Sequence, residues 1–158
     1  MKENVILYII QGFIGSGKTT YSKKLSNETG AIRLNPDELV CEIFSYDEYM
    51  NNWDNCFNSA MDIVWDKTKK NLKENKSVIL DMGFWLKEDR DFARSIAKEY
   101  GADVIHYFLN VPDEILKQRI LVDRPLEWAQ KHLDNFEINK SKFVLPEEDE
   151  EVIVINNF

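Results

Sequence analysis

The feature that most constrains this chain is a glycine-rich octapeptide, Gly12-Phe-Ile-Gly-Ser-Gly-Lys-Thr19, which follows the apolar run at residues 5–10. The run, Val-Ile-Leu-Tyr-Ile-Ile, is typical of a parallel strand that is buried on both faces of a sheet. Residues 18–28 have a helical pattern that Gly30 ends, because glycine readily adopts the left-handed conformation just past a helix. The sequence therefore predicts a strand, a tight loop and a helix, with the strand central in its sheet.

The octapeptide fits the pattern GxxxxGK[ST] in the strand and helix context that this pattern requires. Glycines allow successive backbone N–H groups to point inward, and the helix N-terminus adds positive potential, so the loop suits phosphate groups. We expect the nucleotide to contact Gly12, Gly15, Ser16, Gly17, Lys18, Thr19 and Thr20. The pattern predicts that Lys18 reaches the β- and γ-phosphates and that Thr19 binds Mg²⁺, with ATP as the nucleotide.

Strands and helices alternate along the rest of the chain. Further strands are predicted at residues 31–34, 77–81, 104–109 and 152–155, and helices from residue 36 and at residues 53–72, 87–100, 113–124 and 126–136. Such alternation implies right-handed crossovers between parallel strands. The prediction is an α/β fold, a three-layer α/β/α sandwich with a five-stranded parallel sheet, in one domain over residues 1–158.

Composition limits the classes of protein and partner. The chain has 158 residues, of which 44% are hydrophobic and 30% charged, as expected for one globular domain. Its net charge of −8 makes nucleic acid an unfavourable, though not excluded, partner. No apolar run near the start approaches the roughly 20 residues of a membrane span. We expect a cytoplasmic protein that is a monomer or a small homo-oligomer.

Several reactive or charged residues have ordinary structural interpretations. Cys41 and Cys56 lie in helical patterns without a neighbouring ligand, and we expect buried free thiols. His106 and His132 are equally isolated and are predicted to be structural, so no metal site of histidines or cysteines is expected. The aromatic stripe of the 53–72 helix, including its tryptophans, is predicted to face the core. The acidic run 147–151 is predicted to be a solvated loop.

Four further motifs follow the loop in a fixed order. They are Asp37 in Leu34-Asn-Pro-Asp-Glu38, Asp81 in Val78-Ile-Leu-Asp-Met-Gly83, the pair Val111-Pro112, and the two arginines Arg119 and Arg124. With these motifs the chain resembles, over nearly its whole length, the P-loop kinase-like (AAA-type) family. That family includes zeta toxins, chloramphenicol phosphotransferase-like enzymes and the kinase domain of polynucleotide kinases.

The resemblance implies roles for the two carboxylates. Asp37 would accept the proton of the attacking hydroxyl and lie near the metal, a role that suits phosphoryl transfer. Asp81, at the carboxyl end of a parallel strand, would open into the same crevice and either hold Mg²⁺ through water or bind the substrate hydroxyl. The metal candidates are thus Thr19, Asp37 and Asp81. The alternative for Asp37 is that it only caps a helix.

The two arginines precede the segment 125–146, where related kinases place a lid. The resemblance implies that one of Arg119 and Arg124 lies against adenine while the other neutralises the transferred phosphoryl group, and it leaves open which does which. A solvated helix face is the alternative. With Lys18 and Asp37, these arginines complete the predicted catalytic set.

The acceptor side is less well defined. If the resemblance holds, Phe84, Trp85 and Arg90 line the acceptor wall beside Asp81, although core packing is the alternative for the aromatic residues. Polynucleotide kinases of the family carry an arginine three residues after the base, where this chain has Val40. That difference argues against a nucleic-acid 5′-hydroxyl as the substrate.

The sequence predicts an ATP-dependent phosphotransferase that acts on a hydroxyl of a small molecule such as a sugar, nucleoside or antibiotic. A polynucleotide 5′-hydroxyl kinase and an ATP-binding sensor without an acceptor remain alternatives. A GTPase is disfavoured, because neither residues 75–78 nor residues 139–142 complete the guanine-reading pattern Asn-Lys-x-Asp.

Overall fold

A computed structural model of the chain describes residues 3–158, in which five strands form one parallel sheet. The strands are β1 (Ile6–Gly12), β2 (Ile32–Leu34), β3 (Val78–Gly83), β4 (Asp103–Asn110) and β5 (Ile153–Asn156). The helices are α1 (Lys18–Thr29), α2 (Pro36–Ile43), α3 (Tyr46–Asn51), α4 (Trp53–Lys73), α5 (Lys87–Glu99), α6 (Asp113–Asp123), α7 (Leu126–Asp134) and α8 (Phe136–Lys142). The predicted α/β fold with a five-stranded parallel sheet is confirmed.

The strand order β2-β3-β1-β4-β5 places β1 in the middle of the sheet. The chain leaves β1 toward β2 and β3 on one side and later adds β4 and β5 on the other side. In open parallel sheets, a crevice forms at the carboxyl ends of the strands where the order reverses in this way. Here that point is the end of β1, from which the glycine-rich loop emerges.

Alternate side chains of β1 fill the two faces of the sheet. Leu7 and Ile9 pack in a cluster with residues of β3, α4 and α5, whereas Tyr8 and Ile10 pack with Leu25 of α1. Because helices cover both faces of the sheet at β1, the side chains on both sides of this strand are apolar. This arrangement fixes the position of α1, and with it the position of the loop that joins β1 to α1.

Three local predictions are wrong. The predicted helix 126–136 is divided at Asn135 into α7 and α8. Trp53 does not lie in the core, because 40% of its surface is exposed. Cys41 is exposed, whereas Cys56 is buried as predicted. The sequence pattern also did not reveal α3, a short helix that begins with a capping box formed by Ser45 and Glu48.

His106 lies in a buried polar chain on β4. Its Nδ1 accepts a hydrogen bond from Arg94 at 2.8 Å, since a guanidinium only donates, and its Nε2–H then donates to Gln11 Oε1 at 2.8 Å. Burial, and then the charge of Arg94, lower the pKa of His106 to about 4. The histidine is therefore neutral at physiological pH and structural, as predicted.

Arg90 is completely buried and does not line an acceptor wall, so that prediction is wrong. Its guanidinium donates to both carboxylate oxygens of Glu150, at 2.7 and 2.8 Å. It also donates to the carbonyl oxygens of Phe84, Val144 and Leu145. Glu150 belongs to the acidic run that was predicted to be solvated, yet its carboxylate is buried in this ion pair. The pair fastens the segment after α8 to α5.

No helix among residues 3–158 is both long and apolar enough to cross a bilayer. The same residues contain no group of three or more His, Cys, Asp or Glu side chains arranged to hold a metal ion by themselves.

Replacement of Arg90 by methionine should destabilise the protein strongly, because the buried Glu150 carboxylate loses its bidentate partner and keeps only Arg94, at 2.8 Å, as a counter-charge. We expect the free energy of unfolding, measured with urea, to fall by about 3–5 kcal/mol. Lys87→Met is the control, since Lys87 lies on the same helix and pairs with the exposed carboxylates of Asp91 and Asp149. Equal losses in the two variants would contradict a structural role for the Arg90–Glu150 pair.

Stability should also fall in two steps on acidification. The pKa of His106 is about 4 in the folded protein and ordinarily 6.5, so the unfolded chain takes up the proton first and stability declines below pH 6.5. Burial alone would raise the pKa of Glu150, but hydrogen bonds from Arg90, the Glu147 N–H and Arg94 lower it to about 2. Its contribution is therefore lost between about pH 4.5 and 2. Urea unfolding at successive pH values tests this, and His106→Gln should flatten only the first step.

Candidate active site

The glycine-rich loop has the tight geometry that the sequence predicted. A Cβ atom at Gly12 would lie 2.3 Å from Ser16 Oγ, so any other residue there would displace the Ser16 hydroxyl where the loop closes on itself. Gly17 has a φ of +91°, which favours glycine, and a side chain there would also meet Asn157. Within the described part of the chain, Ser16 Oγ is the one buried side-chain nitrogen or oxygen without a hydrogen-bond partner.

Helix α1 presents unpaired N–H groups at this loop. Its first turn begins with the hydrogen bond from Tyr21 N–H to the Gly17 carbonyl, and Gly17 offers no side-chain cap. The N–H groups of residues 18–20 consequently have no acceptor inside the helix. Together with the helix dipole, they form a site that attracts an anion such as phosphate.

The ammonium of Lys18 folds back over the loop and donates to the Phe13 carbonyl at 3.0 Å. Burial lowers the pKa of Lys18, whereas the carboxylates of Asp81 and Asp37 act in the opposite direction. The lysine thus lies within electrostatic reach of Asp37, the predicted base, and of Asp81, a predicted metal or substrate ligand, while it remains next to the loop.

A cavity of about 420 Å³ opens beside the loop. It is lined by Gly15, Gly17, Lys18, Thr19, Thr20, Arg119, Asp123, Arg124 and Asn157. Seven of these residues were predicted from the sequence to contact nucleotide, phosphate or metal. The volume is in the usual range for small-molecule sites.

Asn157 is a cavity residue that the sequence did not reveal. Its side chain donates to the Ser16 carbonyl at 2.8 Å, and its own carbonyl accepts from Arg119 at 2.7 Å. Arg119 also donates weakly to the Gly15 carbonyl, at 3.4 Å. The predicted topology could have indicated that Asn157 lies near the loop, because a parallel β5 must end at the same edge of the sheet as β1.

Arg124 occupies the other side of the cavity. Its guanidinium lies 5.4 Å from the ring centroid of Trp128, within the range of a cation–π contact. Burial lowers the pKa of Lys18 and raises that of Asp37; the charge of Arg124 adds to the first change and opposes the second. The two predicted arginines are therefore separated, with Arg119 beside Asn157 and Arg124 nearer to Asp37.

Asp37 lies in the first turn of α2, which begins at Pro36 and is capped by the Asn35 side chain. Because Asn35 performs the capping, Asp37 is free for another role. Desolvation raises the pKa of Asp37, and Lys18 opposes this change. Asp37, Lys18 and Arg124 thus lie within electrostatic reach of one another at the crevice.

Asp81 is almost completely buried at the end of β3, with 2% of its surface exposed. Its Oδ2 atom accepts hydrogen bonds from Ser22, Arg33 and Asn35, the shortest being 2.7 Å from Arg33. Arg33 also forms a bidentate pair with Glu38. The sequence did not reveal Arg33, since a lone arginine in a short strand has no distinguishing pattern.

These groups fit a nucleotide and a divalent cation. The orphaned Ser16 hydroxyl, the free N–H groups of α1 and Lys18 suit phosphate oxygens. The Thr19 hydroxyl and the Asp37 and Asp81 carboxylates provide the oxygen ligands, direct or through water, that Mg²⁺ prefers. The hydrogen bonds to Asp81 all fall on Oδ2, which leaves Oδ1 for this purpose.

Trp85 lies behind the loop. Its ring stacks on Phe13 with centroids 5.2 Å apart, contacts Phe143 edge-on and remains half-buried. The residue therefore contributes to the cluster that holds residues 136–143 against the loop. These packing contacts cover most of the surface of the Trp85 side chain.

The comparisons with known proteins agree with this arrangement. A model of the AAA_33 family, an AAA domain, matches residues 7–136. A candidate kinase from Chloroflexus aurantiacus superposes with a TM-score of 0.73 at 17% identity, covering 97% of this chain and 88% of the other. A gluconokinase from Sinorhizobium meliloti gives 0.62 at 15% identity and coverages of 99% and 83%.

A chain of the Pnkp1/Rnl/Hen1 RNA repair complex gives a TM-score of 0.60 at 21% identity, covering 96% of this chain and 51% of the other. None of the curated proteins matches this chain. Likeness at such identities shows a shared fold, whereas the family match covers most of the sequence. The chain belongs to this P-loop kinase-like family of AAA domains.

Proposed function

We propose that this protein is an ATP-dependent phosphotransferase whose acceptor is a hydroxyl group of a small molecule. The observation that carries the proposal is the position of Asp37. Its carboxylate lies in the first turn of α2, near enough to Lys18 and Arg124 for their charges to oppose the rise in its pKa that burial causes. A phosphate-binding loop, two cations and a carboxylate around one crevice suit the transfer of a γ-phosphoryl group.

The cavity beside the loop would hold ATP. The N–H groups at the start of α1 and the Lys18 ammonium would bind its phosphates, and the Arg119–Asn157 end of the cavity would contact the nucleoside. Thr19, Asp37 and Asp81 are the candidate ligands of Mg²⁺, which when bound would supply positive charge against the charge that develops on the phosphate oxygens.

Asp37 is the proposed base. As the acceptor oxygen bonds to the γ-phosphorus, the bond from that phosphorus to the β–γ bridging oxygen breaks, the hydroxyl proton passes to Asp37, and ADP leaves. Partial desolvation raises the pKa of Asp37, which makes the carboxylate a better proton acceptor. Arg124, on the same side, would stabilise the negative charge of the group in transit.

A small-molecule acceptor is supported over a polynucleotide end by the surroundings of Val40. This side chain is completely buried and packs with Cys56 and Ala60. The position where polynucleotide kinases carry a phosphate-binding arginine is therefore part of the core in this chain. An ATP-binding sensor without an acceptor is the second alternative. The proposal also includes a lid formed by residues 125–146.

Replacement of Asp37 by asparagine should abolish transfer while ATP still binds. We expect transfer of label from [γ-³²P]ATP to a panel of hydroxyl-bearing metabolites to fall by about 10²–10⁴-fold, the usual contribution of a positioned base. ATP affinity, measured by titration calorimetry, should change little because Asp37 is not part of the loop.

Glu38→Gln is the matched control for this variant. Glu38 is the adjacent carboxylate on the same helix, but it is paired with Arg33 and should leave most activity intact. Full transfer by Asp37→Asn would refute the base assignment. Binding of ATP without labelling of any acceptor would favour the sensor alternative.

A further inference from the structure

Three aromatic side chains form a continuous surface on α3 and α4, which we name the aromatic ledge. The ring centroids of Tyr49 and Trp53 are 4.4 Å apart with the rings nearly perpendicular, and those of Trp53 and Phe57 are 5.6 Å apart with the rings stacked. Tyr49 and Phe57 are half-buried, and 40% of the Trp53 surface is exposed. A large, ordered aromatic surface that faces solvent is a feature of binding sites.

The ledge packs against α2. Val40 of α2 and Cys56 and Ala60 of α4 form a buried cluster, and Tyr49 and Phe57 pack against it. The ledge is thus attached to the helix that carries Asp37 in its first turn. Burial, and then the charges of Cys41 and Asp37, raise the pKa of the Tyr49 phenol, as expected when these groups lie near one another.

The region that builds the ledge carries no positive side chain. Between Arg33 and Lys67 the sequence contains neither lysine nor arginine, whereas it contains eight acidic residues. These are Asp37, Glu38, Glu42, Asp47, Glu48, Asp54, Asp62 and Asp66. A phosphate or carboxylate on an acceptor would meet a negative field here, without a guanidinium or ammonium to bind it.

The positively charged side chains at the edge of this region already have other partners. Arg33 is shared between Asp81 and Glu38. Lys18 lies over the loop, and Arg124 lies against Trp128, where both face the nucleotide side of the cavity. The positive charge of the crevice is therefore concentrated where the phosphates of ATP would bind, and the acceptor side is left negative.

From these observations we infer that the acceptor carries no phosphate or carboxylate group and binds with a flat or apolar ring face against Tyr49, Trp53 and Phe57, with a hydroxyl directed at Asp37. The inference rests on the proposed function and adds the chemical class of its substrate. Ring faces of sugars and nucleobases stack on aromatic side chains, and a neutral or cationic molecule is not repelled by the acidic surroundings.

Matched acceptors test the charge requirement. Transfer from [γ-³²P]ATP should be measured with adenosine, glucose and kanamycin, and with the anionic counterparts adenosine 3′-monophosphate, gluconate and a 5′-hydroxyl oligonucleotide. We expect labelled product only from the first group. Preferential labelling of the anionic group would overturn the inference and leave the proposed function standing.

Trp53→Ala tests the ledge. It should raise the KM for the best acceptor at least tenfold and change the KM for ATP little, because only acceptor contacts are lost. Tyr46→Ala is the control, since Tyr46 is a more exposed aromatic residue on α3 whose ring is not stacked or edge-on against Tyr49, Trp53 or Phe57. Equal effects of the two variants on the acceptor KM would contradict the role of the ledge.

A gain-of-charge variant and a binding measurement separate the possible failures. Cys41→Arg places a cation on an exposed position one helical turn after Asp37, and it should raise the ratio of kcat/KM for adenosine 3′-monophosphate to that for adenosine at least tenfold. An unchanged ratio would count against the inference. Because the chain has four tryptophans, acceptor binding without catalysis is measured as the quenching of tryptophan fluorescence that Trp53→Phe removes. Binding of ATP with neither labelling nor such quenching by any compound would refute the proposed function and this inference together.

Discussion

One carboxylate oxygen, Asp81 Oδ2, holds the parts of the crevice in register. Its hydrogen-bond donors are Ser22, Arg33 and Asn35. Ser22 follows Lys18 by one turn of α1, and Asn35 caps the helix whose first turn contains Asp37. A single buried atom therefore relates the lysine of the glycine-rich loop to the proposed base. Because a buried charge is costly without all of its partners, this arrangement favours one geometry over looser alternatives.

The division of charge across the crevice follows from the same architecture. The loop and α6 bring cations to one side of the sheet's central edge, whereas residues 34–66, which include α2, α3 and the first part of α4, contain only acidic and neutral side chains. Electrostatic focusing in a cleft amplifies such differences, since the walls have a low dielectric constant. In the proposed reaction, this division of charge would hold the triphosphate on the cationic side and leave the other side to an uncharged acceptor, whose hydroxyl approaches the γ-phosphorus in line with the leaving oxygen.

The fold and the phosphate loop could be predicted because their signals are contiguous in the sequence. Asp81 was also found, since the end of a strand can be recognised locally. The sequence could not show that Arg33 binds Asp81 or that Arg90 pairs with Glu150. Both contacts depend on how segments that are distant in the sequence pack together. The sequence indicated that Arg90 was a site residue, whereas in the structure it pairs with the carboxylate of Glu150, sixty residues further along the chain. Trp53 was assigned to the core because it lies on the apolar side of a helical pattern. Such a pattern does not show which part of that side other elements cover.

Of the two cysteines, Cys56 is buried and Cys41 is exposed, one helical turn beyond Asp37. The protein thus carries a single accessible thiol beside the proposed acceptor pocket. A maleimide dye attached to it would report on that pocket without any engineered residue, and an electrophilic compound could be anchored there covalently. Preparations of the protein should accordingly be kept reduced, because a bulky adduct at this position would obstruct access to the carboxylate.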